Sequence, residues 1–222
     1  MGKTAIVLGA TGLTGGILLA QLIADSSYEK IKLFSQSSVH TTSKKVEEYL
    51  IDLLKIETHK EQFIGDEVFC CIGTTAAKTK DKNIYKLIDY GIPVNAAKLA
   101  KQNNISIFIA MSSMGANIAS SVFYNKTKGE MERDVIAQNL PHTFILRPSL
   151  IGGYRNEYRL GEKIGKVCMR MLHPFLIGNL KKYRIIHPEK IAKCMRILAS
   201  KIENEVIMSS DKILTIANST AS

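Results

Sequence analysis

The stretch Thr4-Ala5-Ile6-Val7-Leu8-Gly9-Ala10-Thr11-Gly12-Leu13-Thr14-Gly15-Gly16 decides the fold of this chain. Its apolar start predicts a buried strand, and the glycines that follow have the spacing G-x-x-G-x-x-G. Aliphatic residues then continue as a helix, namely Ile17, Leu18, Leu19, Leu22 and Ile23. A strand, a glycine turn and a helix are what a dinucleotide site needs, because phosphate oxygens must approach bare backbone N–H groups.

The three glycines have separate tasks in such a turn. Gly9 and Gly12 permit the tight turn and the close approach of a phosphate, while Gly15 lets the helix pack on the strand. The positive end of the helix then faces the pyrophosphate. Glycine-rich turns also join strands to helices without a ligand, but the flanking strand and helix favour a cofactor site here.

Length and composition are those of an ordinary globular protein. The 222 residues, 45% hydrophobic and 23% charged, predict a single domain over residues 1–222, with 153–222 as a small C-terminal substrate portion. No apolar run is long enough to span a bilayer, so we predict no membrane span. The four cysteines lack metal-ligand spacing, so we predict no metal site: Cys70, Cys71, Cys168 and Cys194. With reduced cysteines and no signal-peptide pattern at the first strand, the prediction is a cytoplasmic protein.

The net charge of +10 is concentrated in one region. Between Arg155 and Lys201 there are twelve Lys or Arg residues against three acids. No nucleic-acid motif or series of stacking aromatics accompanies these charges, so specific nucleic-acid binding is not predicted. A solvated basic face, or a surface that attracts an anionic cofactor or substrate, is favoured.

Strands and helices alternate along the rest of the chain. Further strands are predicted at 30–35, 46–53, 67–72, 105–111, 143–146 and 206–208. Helices are predicted at 83–102, with an interruption at Pro93, and at 121–139, 160–175 and 188–200. Alternation with short joins predicts an α/β fold, a doubly wound parallel sheet of Rossmann type with a short helical C-terminal extension.

The end of the second strand bears on the choice of cofactor. An NAD site usually has an acid there to bond the ribose 2′-hydroxyl, whereas this chain has Ser35-Gln36-Ser37-Ser38. Without a carboxylate to repel a 2′-phosphate, NADP (NADPH) is favoured and NAD is the alternative. Lys44 or Lys45 is a candidate to assist the phosphate, although solvated charge explains both lysines equally well.

A Tyr and a Lys stand four residues apart in Tyr124-Asn125-Lys126-Thr127-Lys128, at the start of a predicted helix. Residues at this spacing share one helix face, and an ammonium near a phenol stabilises the phenolate that proton transfer requires. Ser113, at the end of the preceding strand, is placed to bond a substrate oxygen. A Y-x-x-x-K pattern is common by chance, but behind a glycine turn and a strand ending in Ser-Ser it predicts catalysis.

Five stretches together resemble the atypical branch of the short-chain dehydrogenase/reductase superfamily, and more narrowly the Tat-interacting-protein family of NADPH-binding oxidoreductases. They are Gly9–Gly15, Phe69–Thr75, Met111–Ala116, Tyr124–Glu130 and Leu146–Pro148, and they occur in order between Thr4 and about Gly153. One departure from the family is Gln36, where NADPH-selective members often have an Arg.

The resemblance implies roles for individual residues. Contacts with the pyrophosphate are implied for Gly9, Thr11, Gly12, Leu13 and Thr14. Asp52 and Leu53 are implied beside the adenine, and Gly73 and Thr74 under the cofactor's ribose. Lys128 is implied to hold the nicotinamide ribose and to tune Tyr124. Ser113 is implied to orient a substrate carbonyl, with Ser112 as the alternative. Arg147 and Pro148 are implied to begin the segment around the nicotinamide and substrate pocket. Relatives commonly pair their helices across a homodimer.

The function that follows is an NADP-dependent oxidoreductase acting on a small carbonyl or alcohol substrate through Ser113, Tyr124 and Lys128. A second hypothesis is an NADP(H)-sensing regulator without turnover. A nucleotide-sugar epimerase or dehydratase is disfavoured, because the part beyond the sheet is short for cradling such a substrate.

Overall fold

The computed structural model describes residues 2–75, 78–152, 183–201 and 203–219. Seven parallel strands form one sheet in the order β3-β2-β1-β4-β5-β6-β7. The strands are β1 Lys3–Leu8, β2 Tyr28–Ser35, β3 Val46–Leu50, β4 Glu67–Cys70, β5 Ile107–Met111, β6 His142–Arg147 and β7 Ile207–Ser209. The predicted doubly wound parallel sheet is confirmed.

Helices cover both faces of this sheet. The α-helices are α1 Leu13–Ala24, α2 Lys82–Lys86, α3 Ile92–Gln102, α4 Phe123–Ile136, α5 Pro188–Leu198 and α6 Ser210–Asn218. A 3₁₀ helix spans Leu53–His59 and a π-helical turn spans Leu87–Gly91.

The alternation of strand side chains creates two cores. In β1, Ala5 and Val7 lie in the cluster that includes residues of α1, α5 and α6. Ile6 and Leu8 point the other way, into the cluster formed with the 3₁₀ helix, α3 and α4. All four side chains are fully buried, so this strand is apolar without interruption, as expected of a central parallel strand.

The third strand ends earlier than predicted. It stops at Leu50, and the Ile51 N–H donates to the Ser35 carbonyl at 2.9 Å. Asp52 then accepts a hydrogen bond from the Leu54 N–H at 3.0 Å and caps the 3₁₀ helix. The prediction of strand to residue 53 missed this cap, which turns the chain away from the sheet.

The helix predicted at 83–102 is three segments. The Ile92 N–H bonds the Leu87 carbonyl, five residues back, just before Pro93. Pro93 lacks an N–H for a bond to the carbonyl of Asp89, so the regular ladder is broken at this point. The resulting π-helical turn contains Asp89 with its side chain fully buried.

The C-terminal part is described from residue 183 onward. α5 and β7 agree with the predictions to within two residues, whereas α6 was not predicted. The predicted helix at 160–175 lies outside the described residues. Within the described ranges, every helix is too short or too polar to cross a membrane.

Candidate active site

A cavity of about 260 Å³ opens at the carboxyl ends of β1, β4, β5 and β6. It lies where the strand order reverses between β1 and β4, which is the usual ligand position in an open α/β sheet. The predicted site residues that line it are Gly12, Leu13, Thr14, Gly15, Gly73, Thr74, Ser112, Ser113, Tyr124, Lys128 and Pro148. Residues from five separate stretches of the chain therefore meet at one cavity.

The glycine turn forms one wall of this cavity. Gly9 has a φ of +83°, and a Cβ on Gly15 would lie 2.1 Å from the Gly9 carbonyl oxygen. Neither position therefore tolerates a side chain, because α1 starts against the turn itself. Within the described part of the chain no side chain caps α1, so its first N–H groups, on Leu13, Thr14 and Gly15, are left for a ligand in the cavity that these residues line.

Thr14 adds an independent sign of a ligand at this helix end. The residue is 2% exposed, and its hydroxyl oxygen is buried without a hydrogen-bond partner among the described residues. A buried hydroxyl normally has a partner. An anion bound at the start of α1 would satisfy both the hydroxyl and the free N–H groups, so this wall fits the pyrophosphate of a dinucleotide.

The α4 helix carries the opposite wall. Its first turn lies against the preceding loop, because the Asn117 N–H donates to the Asn125 carbonyl at 3.0 Å. A Cβ on Gly129 would lie 2.4 Å from the Asn117 carbonyl carbon, so glycine permits this close approach. Tyr124 and Lys128 consequently face the cavity from one side of the helix.

Lys128 is buried in an ion pair. Its Nζ lies 2.9 Å from Asp89 Oδ1, and the two side chains are 4% and 0% exposed. Burial alone would lower the pKa of Lys128, but attraction to Asp89 and to Tyr124 outweighs burial and raises it above its ordinary value. The lysine is therefore an ammonium. The second Asp89 oxygen, Oδ2, accepts the Thr74 N–H at 2.7 Å.

The turn after β4 rests on this ion pair. A Cβ built on Gly73 would be 3.6 Å from Asp89 Oδ1 and 3.7 Å from Lys128 Nζ, which are ordinary contacts. Gly73 and Thr74 therefore lie directly over the ion pair, on the cavity side. Asp89, which the sequence analysis did not indicate, thus connects the predicted ribose turn at Gly73 and Thr74 to the predicted Lys128.

The two serines at the end of β5 differ in their hydrogen bonds. Ser112 Oγ donates to Glu132, which also pairs with Arg147 through a bond of 2.9 Å from Arg147 Nε. Ser113 Oγ is buried and has no partner among the described residues. Ser113 is therefore free to bond a ligand, whereas Ser112 is held by Glu132.

Tyr124 lies at the mouth of the cavity. Its side chain is 37% exposed, and its ring meets the Tyr85 ring edge-on with the centroids 6.1 Å apart. The tyrosine is thus in contact with both solvent and the cavity, as a residue that exchanges protons requires.

A second, more open cavity of about 530 Å³ lies outside the glycine turn. Thr11, Gly12, Ser37 and Ser38 line it together with apolar residues of α1. The Glu48 carboxylate, on β3, accepts bonds from Ser38 Oγ at 2.7 Å and from the Val39 N–H at 2.8 Å. These two bonds lower the pKa of Glu48, so a carboxylate borders the loop after β2 even though β2 itself ends without one.

Six predicted cofactor residues border neither cavity. Gly9 forms the turn, Ser35 Oγ bonds the Ser37 carbonyl at 2.8 Å, and Gln36 is exposed. Asp52 caps the 3₁₀ helix and Leu53 is in the core. Arg147 is paired with Glu132 behind Ser112, so only Pro148 of the pair Arg147-Pro148 reaches the cavity. The cofactor contacts implied for these six residues stay predictions.

The sequence reasoning missed three acids at the site: Asp89, Glu132 and Glu48. Glu132 had a signal, because it follows Lys128 by four residues on the same face of α4. Asp89 and Glu48 had none, since each meets its partners only through the packing of distant elements.

Comparison with known proteins identifies the family. A family model described as NAD(P)H-binding matches residues 9–170. The chain belongs to this NAD(P)H-binding family. It is 31% identical to the mitochondrial protein FMP52 of Candida albicans, over 97% of this chain and 99% of that protein. It is 29% identical to HTATIP2 of Rattus norvegicus, over 74% of this chain and 69% of that protein. The predicted membership of the atypical short-chain dehydrogenase/reductase superfamily is confirmed.

Solved structures support the same fold. The Bordetella bronchiseptica enzyme WbmG in complex with NAD matches this NAD(P)H-binding chain with a TM-score of 0.69 at 10% identity, over 98% of this chain and 77% of that one. The UDP-Glc/GlcNAc 4-epimerase of Campylobacter jejuni matches with a TM-score of 0.69 at 14% identity, over 96% and 82%. At these identities the likeness is one of fold alone.

The predicted cytoplasmic location is wrong. FMP52 proteins from several yeasts, including Candida albicans, Debaryomyces hansenii and Kluyveromyces lactis, are named mitochondrial and not cytoplasmic. The prediction rested on cysteine spacing and on the first residues of the chain. Cys70, Cys71 and Cys194 are indeed free and buried, but free cysteines do not distinguish one reducing compartment from another.

Proposed function

We propose that this chain is an NADP-dependent oxidoreductase that acts on a small carbonyl or alcohol through Ser113, Tyr124 and Lys128. The observation that carries the proposal is one cavity at the switch point of the sheet. It is lined by the glycine turn, by Tyr124 and Lys128, and by Ser113, whose hydroxyl has no partner among the residues that the structure describes. A phosphate-binding wall alone is consistent with any dinucleotide-binding protein. The proton-transferring wall opposite it favours a reaction.

Some residues that line the cavity bind the cofactor, and others take part in the reaction. The open N–H groups of α1 and the Thr14 hydroxyl hold the pyrophosphate, and the turn at Gly73 and Thr74 supports the ribose. A bound nicotinamide supplies or accepts the hydride. Ser113 donates a hydrogen bond to the substrate oxygen, Tyr124 transfers the proton, and the Lys128 ammonium stabilises negative charge that develops beside it.

The preference for NADP over NAD rests on the loop after β2. Ser37 offers a hydroxyl donor beside the second cavity, whereas the Ser38 hydroxyl is already donated to Glu48. No residue from Ser35 to Val39 is acidic. Lys45 does not assist, because its Nζ bonds the carbonyls of Ile23 and Asp25 at 2.9 and 2.8 Å. Glu48 opposes a 2′-phosphate, although both its oxygens already accept hydrogen bonds from the loop. We therefore expect a modest preference.

Fluorescence titration with NADPH and NADH tests this proposal. Gly73→Ala fits the protein fold, since its Cβ makes only ordinary contacts, but it places a methyl group in the cavity. It should therefore weaken NADPH binding at least about tenfold, a cost of about 1.4 kcal/mol. Gly91→Ala is the matched control, because a Cβ there meets nothing within 4 Å and Gly91 does not line the cavity. Wild-type affinity should be higher for NADPH than for NADH.

Two results would count against the proposal. A preference for NADH of tenfold or more would reverse the choice of cofactor. If Gly73→Ala folds correctly and binds NADPH as tightly as the wild-type protein does, the cofactor does not bind in this cavity.

A further inference from the structure

The Glu48 carboxylate ties the loop after β2 to the edge strand β3. Its Oε2 accepts the Ser38 hydroxyl at 2.7 Å, and its Oε1 accepts the Val39 N–H at 2.8 Å. The Ser38 hydroxyl oxygen itself accepts the His40 N–H at 2.9 Å. One side chain on β3 therefore holds three consecutive residues of this loop.

This loop forms one side of the second cavity, which lies outside the glycine turn. Ser37 and Ser38 line the cavity from the loop, and Thr11 and Gly12 line it from the turn. In a dinucleotide-binding sheet the adenosine ribose lies at the end of the second strand, next to the turn that binds the pyrophosphate. A 2′-phosphate on that ribose would therefore reach this cavity, and Glu48 lies one hydrogen bond behind its Ser38 wall.

Glu48 would weaken the binding of such a phosphate in two ways. Its negative charge would repel the phosphate from behind a single hydrogen-bonded side chain. Its two oxygens also occupy the Ser38 hydroxyl and the Val39 N–H, which are donors of residues that border the same cavity. A ribose with a free 2′-hydroxyl has no charge at this position. Both effects therefore lower the affinity for NADPH more than the affinity for NADH.

The charge on Glu48 is not neutralised by the lysines that adjoin its strand. The hydrogen bonds from the loop, and less strongly the exposed His40, lower the pKa of Glu48, so it is a carboxylate at neutral pH. Lys45 Nζ bonds two backbone carbonyls at the end of α1, at 2.9 and 2.8 Å. Lys30 pairs with Glu47 at 3.3 Å. The carboxylate therefore keeps its negative charge beside the cavity.

We propose that Glu48 is the specificity-determining residue for the cofactor, and that its charge limits the preference for NADPH so that the site also accepts NADH. In this fold the acid that selects NAD usually lies at the end of the second strand, where it bonds the ribose 2′-hydroxyl. Here the acid stands on the third strand and acts through the loop. The inference rests on the proposed cofactor site and names the residue that sets its specificity.

Fluorescence titration of Glu48→Gln with NADPH and with NADH tests the proposal. The ratio of the NADH to the NADPH dissociation constant should rise about threefold or more above the wild-type ratio, through tighter NADPH binding, because a like charge is removed. The rise should shrink in about 1 M salt, where charges are screened within about 3 Å, whereas an effect of loop shape alone would persist.

Glu47→Gln is the matched control. Glu47 is the adjacent carboxylate of β3, and because side chains alternate along a strand it points to the opposite face, where it pairs with Lys30. This variant should leave the ratio at its wild-type value. An unchanged or lower ratio in Glu48→Gln, or a rise of the same size in Glu47→Gln, would overturn the proposal.

Ser38→Ala decides the matter if Glu48→Gln does not fold. Without the Ser38 hydroxyl, one oxygen of the carboxylate loses its donor and is less shielded from the cavity, so the ratio should fall about twofold or more at low salt. The fall should shrink in about 1 M salt. An unchanged or higher ratio would overturn the proposal. A fall that persists in salt would equally overturn it, because Ser38 itself would then bind the phosphate.

These titrations separate the inference from the proposed function, because they measure binding and not turnover. A wild-type protein that binds both cofactors, with an unchanged ratio in Glu48→Gln, would refute the inference alone. A protein that shows the expected ratios and turns over no carbonyl or alcohol would refute the oxidoreductase function alone. A wild-type protein that binds neither cofactor would refute both.

Discussion

Two buried carboxylates lie at opposite ends of the sheet, and one of them, Asp89, lines the cavity at the switch point. Glu67 begins β4 at the amino end, where it accepts a hydrogen bond from Tyr28 and pairs with Lys3 at 3.3 Å. Asp89 lies at the carboxyl end with Lys128. Each acid is 0% exposed and has a tyrosine and a lysine in its surroundings.

The cluster of Glu67 with Tyr28 and Lys3 and the cluster of Asp89 with Tyr124 and Lys128 differ in what else their side chains contact. Tyr28 is almost completely buried and its pKa is raised by burial and by Glu67, so it serves as a fixed donor. Lys3 Nζ also donates to the Ala199 carbonyl at 3.0 Å, which ties β1 to the end of α5. Tyr124 and Lys128 face a cavity instead. A buried charge is therefore a sign of function only where a neighbouring surface is left for a ligand.

The largest expected contrast is between the two tyrosines. Tyr124→Phe should reduce turnover by about 10²–10⁴-fold, the usual contribution of a positioned acid–base group, with cofactor affinity near that of the wild type. Tyr28→Phe should leave turnover unchanged and lower the free energy of unfolding by about 1–3 kcal/mol, because Glu67 loses a donor. Steady-state kinetics and urea unfolding measure the two effects. Retained activity in Tyr124→Phe would show that the two clusters do not differ in this way.

The two lysines should differ in their effect on stability. Lys128→Met leaves Asp89 as a buried carboxylate without its cation, so the free energy of unfolding should fall by about 3–5 kcal/mol. Lys3→Met should cost about 1 kcal/mol or less, since the Lys3 side chain is 38% exposed and solvent screens the pair. Urea denaturation at a constant m-value compares them. Equal losses would mean that the Asp89–Lys128 pair is no more deeply buried than the Lys3–Glu67 pair.

The smallest expected effect is a pH dependence at the amino end. Burial outweighs the Tyr28 hydrogen bond and Lys3 and raises the pKa of Glu67, so the folded chain binds this proton more tightly than the unfolded chain. Wild-type stability relative to Glu67→Gln should therefore increase as the pH falls from neutral towards the ordinary glutamate value. The gain is about 1.4 kcal/mol for each unit by which the pKa is raised. Stability curves at several pH values measure it, and a relative loss on acidification would contradict this environment for Glu67.

The sequence predicted the parts of this molecule that depend on local pattern. The glycine turn, the alternating elements and the pairing of Tyr124 with Lys128 on one face of α4 follow from spacing alone. The end of β3 and the π-helical turn do not, because they depend on the cap at Asp52 and on the hydrogen bond that Pro93 cannot make.

The centre of the site depends on long-range packing. Asp89 and Lys128 are 39 positions apart, and only the packing of the π-helical turn against α4 brings them to 2.9 Å. The chain gives no local sign that one of its acids is buried there. Arg147 is the opposite case to Asp89, because the family motif predicted it near the pocket. In the structure it pairs with Glu132, which also accepts the Ser112 hydroxyl.

Transfer of deuterium from NADPH labelled at C4 to a panel of aldehydes and ketones tests the central claim most directly. Mass spectrometry should find deuterium on the carbinol carbon of the product with the wild-type protein, and a loss of about 10²-fold or more with Tyr124→Phe. Binding of NADPH with no label in any product would contradict the account and leave the cofactor-sensing function in its place.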